Sequence, residues 1–360
     1  MTLRCRPKSV VLVLSLLVSG CAAGDPGAAV ARSAPQSFSP LVKQVLPSVV
    51  NIAVTETISG GEVLNQLPPE LRDTPLGREF RKRFGNKKEQ TMGAGSGFII
   101  DASGLIVTNN HVVGHADKIV VSLTDGTRLP AKVIGTDDLT DVALIKVDAP
   151  RTLPAVPWGD SRGTDVGDWV LAAGNPFGLG GSVTAGIVSA RGRDLGAGPF
   201  DNFIQLDAPI NPGNSGGPIF NMSGQVIAIS TAIVSPSGGS VGIGFATPSE
   251  LIQPIVAQLR TVGRIDRGWL GVSVQDADDG VTVAGVERNS PAYRAGVRQG
   301  DVIVAVNGDH IESSRGLIRS IAAVAPGAAV KLSIRRKGQN SDVSVTVGRR
   351  PAEGSAEEAK

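Results

Sequence analysis

Ser215 lies in the run Asn211-Pro212-Gly213-Asn214-Ser215-Gly216-Gly217-Pro218, whose residues permit positive φ and close backbone approach. Such a turn displays a hydroxyl with backbone amides beside it. An attacking serine needs those amides, because the tetrahedral intermediate of acyl transfer carries negative charge on the former carbonyl oxygen. Gly213 and Ser215 would donate them. An ordinary glycine-rich β-turn has the same composition, so this run alone does not establish a nucleophile.

A serine hydroxyl also needs a general base, and histidine is the side chain best suited to that task near neutral pH. The chain has three. His111 follows the strand-like Leu105–Thr108 in Thr108-Asn109-Asn110-His111-Val112-Val113; His115 reads as a surface residue beyond Gly114, and His310 as part of a turn. The imidazolium must then be oriented by a fixed carboxylate. Asp141 abuts the apolar run Val142–Val147, while Asp137 and Asp138 sit in a more loop-like stretch. Residue types favour Asp141 without removing the other two.

The elements that position these groups follow from composition. The 360 residues suffice for two or three domains. With 46 glycines, 23 prolines and 4% aromatics, and short β-branched runs between turn residues from Val49 to Thr247, the body should be a β-barrel or sandwich. A net charge of +2 gives no chain-wide basic field for nucleic acid. The basic stretch Arg81, Lys82, Arg83 and Lys87 around Phe80 and Phe84 reads as a solvated helix face.

At the start, Arg4, Arg6 and Lys8 precede Val10–Val18, an apolar stretch too short to span a bilayer. Residues 1–20 are therefore expected to be a processed signal segment. Val18-Ser19-Gly20-Cys21 resembles a bacterial lipobox, which makes Cys21 a candidate for lipid attachment; cleavage as an ordinary signal peptide is the alternative, since Cys21-Ala22-Ala23 also suits it. Cys5 would be removed by either route, so no intramolecular disulfide is expected. Residues 21–37 read as a flexible tether. A helix is expected from Ser39 to Leu46 with Pro47 as its stop, and another from a Thr247 capping box, with Pro248 in its first turn, to Val262, with Pro254 as an interior cost. The stretch 55–91 reads as a long polar insertion. The domain boundary falls near 261–266.

The order His, Asp, Ser, with separations of 30 and 74 residues, is that of chymotrypsin. Thr108–Val113, Asp138-Leu139-Thr140-Asp141-Val142-Ala143-Leu144-Ile145 and Gly213–Gly217 together resemble the HtrA/Deg family of quality-control proteases. Gly174-Asn175-Pro176-Phe177-Gly178 and Gly242-Ile243-Gly244-Phe245-Ala246 match it too. The likeness covers roughly residues 38 to 350.

The resemblance implies a mostly β chain with a trypsin-like double β-barrel at 38–263. It makes His111 the base, Asp141 its partner and Ser215 the nucleophile. Neutral Asn214 stands where trypsin-like enzymes carry the Asp that pairs with a zymogen-derived N-terminus, so activation by such a cleavage is not expected. Ala228, Ile229 and Ser230 fall on the strand lining the specificity pocket, which implies cleavage after small aliphatic residues. Family members often carry Gly and Asn at the first and third of these positions, so the Ala228 methyl would narrow the pocket. Arg193 matches a position that senses activation, an exposed basic turn being the alternative. The insertion would cover the active site or join trimers through Phe80 and Phe84, unless it is simply disordered. A homotrimer, unfolded exported polypeptides as substrates, a periplasmic site in the bacterial envelope and no metal or organic cofactor are implied as well.

From 267 to 350 the order Arg267-Gly268-Trp269-Leu270-Gly271-Val272, Ser290-Pro291-Ala292, Ala295-Gly296-Val297, Gly300-Asp301-Val302-Ile303 and Val306-Asn307-Gly308 resembles one PDZ domain of the HtrA type, with a polar tail at 351–360. In that fold Trp269, Leu270, Gly271 and Val272 would meet the carboxylate of a hydrophobic C-terminal peptide. Gly271 is read as keeping side chains out of its way. A helix over Ser313–Ala322 would offer Leu317 and Ile321 as an apolar wall. Three functions fit: an ATP-independent endopeptidase for misfolded exported proteins, a sensor protease making one regulatory cut, or a scaffold that binds unfolded chains.

Overall fold

The computed structural model describes residues 35–59, 74, 88–178, 180–236 and 238–350. The signal segment, Cys21, Phe80, Phe84 and the tail lie outside them. Six strands form the first barrel: β1 (Val49–Ser59), β2 (Lys88–Asp101), β3 (Leu105–Thr108), β4 (Lys118–Ser122), β5 (Arg128–Asp137) and β6 (Val142–Val147). The second has β7 (Trp169–Gly174), β8 (Ser182–Arg193), β9 (Phe203–Leu206), β10 (Pro218–Phe220), β11 (Val226–Ile233) and β12 (Gly244–Pro248). Each closes on itself, in the orders β1-β2-β3-β6-β5-β4 and β10-β11-β12-β9-β8-β7. Closure removes the unpaired edges that a flat sheet would expose.

Helix α1 (Ser39–Val45) precedes the first barrel and α2 (Asn110–Val113) follows β3. Helix α3 (Ser249–Val262) packs on β5 and β6 of one barrel and on β11 and β12 of the other. This explains why β6 reads as continuous apolar sequence rather than alternation. Ala143, Ile145 and Val147 fill the barrel core, while Val142 and Leu144 are buried on the opposite face.

Three local expectations are corrected. The first α-helix ends at Val45, one residue short of the expected Leu46, and Pro47 sits within the 3-10 turn Leu46–Ser48 that follows it; in the first turn of a helix its missing N–H has no role. Thr247 does not cap α3, because its pairing with Ile229 keeps it in β12 and its hydroxyl meets Thr231 Oγ1 at 2.8 Å. The N-cap is Pro248, and Ser161 Oγ instead accepts the Glu250 amide at 3.1 Å. Nor does the insertion begin at 55: β1 and β2 stay in register as far as Ser59 and Lys88, so residues 55–59 and 88–91 are arms of a hairpin.

The C-terminal module holds β13 (Gly268–Trp269), β14 (Val272–Ala277), β15 (Gly280–Val286), β16 (Val302–Val306), β17 (Asp309–His310), β18 (Ala329–Arg336), β19 (Gln339–Thr346) and β20 (Gly348–Arg349), with α4 (Pro291–Arg294) and α5 (Ser314–Ala322). His310 is thus in a short strand rather than a turn. The path β14-β15-β16-β18-β19 forms the sheet, and β13 pairs with β20. Ser313 caps α5 by accepting the Gly316 amide. Burial raises the Asp301 carboxyl, but the Arg336 guanidinium and the Arg298 amide outweigh it and hold the group below the usual carboxylate range.

This module rests on both barrels through arginines. Arg267 binds Asp137, with Nε at 3.3 Å, and its guanidinium lies 4.3 Å above the Phe200 ring. Arg350 reaches Asp138 at 3.6 Å, Arg315 pairs with Asp194, and Arg319 donates to the Pro199 and Asp201 carbonyls.

Candidate active site and peptide groove

The three aspartates that compete in the sequence separate in space. Asp137 is buried and bound by Thr140 and Arg267, and Asp138 faces Arg350. Asp141 alone turns to His111: Oδ1 accepts the His111 amide at 2.8 Å, and Oδ2 lies 2.6 Å from Nδ1. With the Nδ1 proton shared toward the carboxylate, Nε2 is left as an acceptor. Asp141 stands at φ 55°, a left-handed conformation that Asp tolerates better than most residues.

His111 and Ser215 line one cleft of about 420 Å³ between the barrels, together with Gly213 and Pro212. His115 is exposed but also borders this cleft, so it is more than a remote surface residue. The turn that leads into Ser215 is type II: Asn214 N donates to Asn211 O at 3.0 Å, Pro212 takes the second place, and Gly213 supplies φ 95° at the third. Among the described residues the amides of Gly213 and Ser215 donate to no other group, as a receptor for a developing oxyanion requires. Asn214 is buried against Gly174 with Oδ1 unpartnered. A charge there would lack a partner.

Ser96, which the sequence reading did not single out, straps this turn to the first barrel. Its Oγ donates to Gly213 O at 2.6 Å and accepts the Asn175 amide at 2.8 Å, while its own amide donates to Ser215 O at 2.8 Å. The signal was there in Gly93-Ala94-Gly95-Ser96-Gly97, a glycine density unusual for a barrel strand, where a Cβ at Gly95 would meet Val112 and the Ser215 carbonyl. On the far side Gly216 N donates to Ser230 O at 2.8 Å, and Ser230 N to Gly217 O at 2.9 Å.

Ala228, Ile229 and Ser230 all lie on β11 and are buried, Ala228 within the second barrel's core. Ser230 Oγ has no partner. Arg193 ends β8 and donates from Nε to Gln205 Oε1 at 2.9 Å.

A second concavity, about 150 Å³, opens in the C-terminal module between Trp269–Val272 and α5, with Leu317 and Ile321 in its wall. Leu270 is buried beneath it, and its carbonyl accepts the Ala292 amide at 2.9 Å. Gly271 has φ 74°, and a methyl there would strike Ser290. The module's own packing therefore calls for glycine at this position, in addition to any space it leaves for a ligand. Leu139, two residues before Asp141, also borders this concavity.

Residues 95–229 match the family model described as a trypsin-like peptidase domain, and 268–347 match a PDZ domain. The chain is 44% identical over 356 residues to a probable periplasmic serine endoprotease, DegP-like, of Brucella suis, covering 87% of this chain and 69% of that one. It is 41% identical over 360 residues to the protein of the same description from Pseudomonas putida, covering 94% and 75%. Among solved structures it is similar to an HtrA-type protease AlgW with a decapeptide, at TM-score 0.74 and 37% identity, covering 88% of this chain and 99% of that one. A serine endoprotease from Yersinia pestis aligns at TM-score 0.69 and 33% identity, covering 89% and 100%.

Proposed function

Because this chain belongs to the HtrA/DegP-like family of serine endoproteases, we propose that it is a periplasmic endopeptidase that cuts unfolded exported polypeptides and reads their hydrophobic C-termini through its PDZ groove. The observation that carries the chemistry is the two-point hold of Asp141 on His111 beside Ser215. His111 Nε2 takes the Ser215 proton as Oγ attacks the scissile carbonyl, and the amides of Gly213 and Ser215 receive the oxyanion. Collapse breaks the C–N bond, and His111 returns its proton to the leaving amine. Water, deprotonated by the same imidazole, then releases the acyl group and restores Ser215. Asp141 stabilises the imidazolium throughout without taking its proton.

The PDZ reading is supported by the amides of Leu270 and Gly271, which donate to no other group among the described residues, beside the apolar wall of Leu317 and Ile321. A peptide would add as a strand along β14 with its carboxylate at those amides. A titration compares a peptide ending in an aliphatic residue with its C-terminally amidated twin, following binding and the cleavage of casein held unfolded. The free acid should bind and accelerate cleavage, and the amide should do neither. Equal binding would overturn the carboxylate reading; intact casein under all conditions would overturn the protease reading.

Attachment through a lipid on Cys21, and a trimer assembled through the N-terminal segment, belong to the same proposal. Cys21→Ser should move the protein from membranes to the soluble fraction, where its sedimentation mass should be three times that of one chain. A parent already soluble at the mutant's mature mass excludes the lipid, and a single-chain mass excludes the trimer.

A further inference from the structure

Asn109 is the N-cap of α2, with φ −77° and ψ 149°, yet its side chain bonds to none of that helix's first amides. An asparagine at this place normally accepts one of them and stabilises the helix by about 1 kcal/mol. Here Nδ2 turns away and donates to Asp141 O at 2.8 Å, with Thr231 Oγ1 at 3.4 Å. The residue is fully buried, and among the described residues Oδ1 has no partner. Leaving a buried acceptor unsatisfied is unfavourable. A side chain that forgoes a cap and strands an acceptor is not placed for the stability of α2.

What it holds is a residue in the left-handed region. Asp tolerates that conformation better than most side chains, yet a non-glycine residue keeps it only when its surroundings determine it. Asp141 is that residue, and two donors converge on its carbonyl: Asn109 Nδ2 and, at 3.1 Å, the Asn110 amide. Its carboxylate meanwhile meets His111. Releasing the carbonyl lets φ of Asp141 relax, and the carboxylate swings with it.

The far end of the link lies in the other barrel. The Thr231 hydroxyl has one proton, which goes to Ile229 O at 3.0 Å, so its lone pairs remain for Asn109 Nδ2 and for the Thr247 hydroxyl at 2.8 Å. Thr231 adjoins Ser230, whose amide and carbonyl hold the Gly216–Gly217 end of the nucleophile turn. We propose that Asn109 is a positioning residue that references the Asp141 carboxylate, carried by the first barrel, to strand β11 of the second, which anchors the turn bearing Ser215. The inference rests on Asp141 being the partner of the catalytic base.

In the full chain, with an internally quenched peptide as substrate, Asn109→Asp keeps the shape and loses both donor protons. Its kcat should fall about 10–100-fold, the range set by a carboxylate displaced by about an ångström, with KM within twofold, while the uncompensated buried carboxylate lowers the thermal midpoint. Thr231→Val should lose part of that rate, and Thr231→Ser should restore it. If Asn109→Asp fails to fold, the Thr231 pair decides alone. A kcat within twofold in Asn109→Asp, or equal losses in Thr231→Val and Thr231→Ser, overturns the inference. Asp141→Asn is measured beside them: if that variant keeps full rate, the underlying triad reading falls instead, and the two failures are told apart.

Discussion

Ser215→Ala should lower turnover of an unfolded substrate by about a million-fold, the loss that follows removal of a triad nucleophile. The variant should otherwise be intact. Ser215 Oγ makes no hydrogen bond that the turn depends on, since the turn is held by Ser215 O to the Ser96 amide and by Gly213 O to Ser96 Oγ. The PDZ groove lies on another part of the chain, so C-terminal peptides should bind with parental affinity. Casein cleavage, fluorophosphonate labelling and the thermal midpoint together check this. Labelling that survives in a rigorously purified variant would locate the nucleophile elsewhere.

Gly216→Ala should be the most damaging single-methyl change in the turn. At φ 83° an L-residue is strained, and a methyl would be driven against Thr108 Oγ1, the Ser96 carbonyl and, at 3.1 Å, the Asn109 amide. Two of these are main-chain atoms of the first barrel, so neither can move as a flexible side chain would. The left-handed backbone costs about 1–2 kcal/mol, and overpacking typically costs about another 1–3 kcal/mol. Gly126→Ala is the matched control: its φ is 84°, but a methyl there meets nothing within 4 Å. The difference in unfolding free energy between the two variants isolates the clash. Equal values would mean that the turn and the first barrel are not locked together, and activity in Gly216→Ala should then survive.

The architecture was largely legible because barrels and PDZ folds are written in turns, and turns in glycines that a reader can place. Ser215 and His111 could be singled out from residue types and order, and the Trp269–Val272 segment through its resemblance to a PDZ domain. Choosing Asp141 over its neighbours could not be done that way. Asp137 and Asp138 look equally available until Arg267 and Arg350, more than a hundred residues downstream, are seen to occupy them. Thr247 failed as a cap for a related reason: a capping motif is local, whereas the ladder that keeps Thr247 in β12 depends on Ile229. The hairpin beyond Thr55 was missed because Glu56, Thr57, Glu89 and Gln90 are polar, and a polar run reads as loop until its pairing is seen. Asn109 illustrates the limit most sharply. Its sequence setting says helix cap, and only distance says that it holds Asp141.

The pairing of β13 with β20 brings the two ends of the PDZ module side by side. A unit built this way behaves as a cassette, because excising or exchanging it at one junction re-threads neither barrel. Among the described residues such an exchange would disturb chiefly the arginine contacts with Asp137, Asp138, Asp194, the Phe200 ring and the 199–201 carbonyls, and the packing of Leu139 at the groove. Evolution or an engineer could therefore alter which chain ends are recognised while keeping the cutting machinery, provided the incoming module brings cations to those same few places.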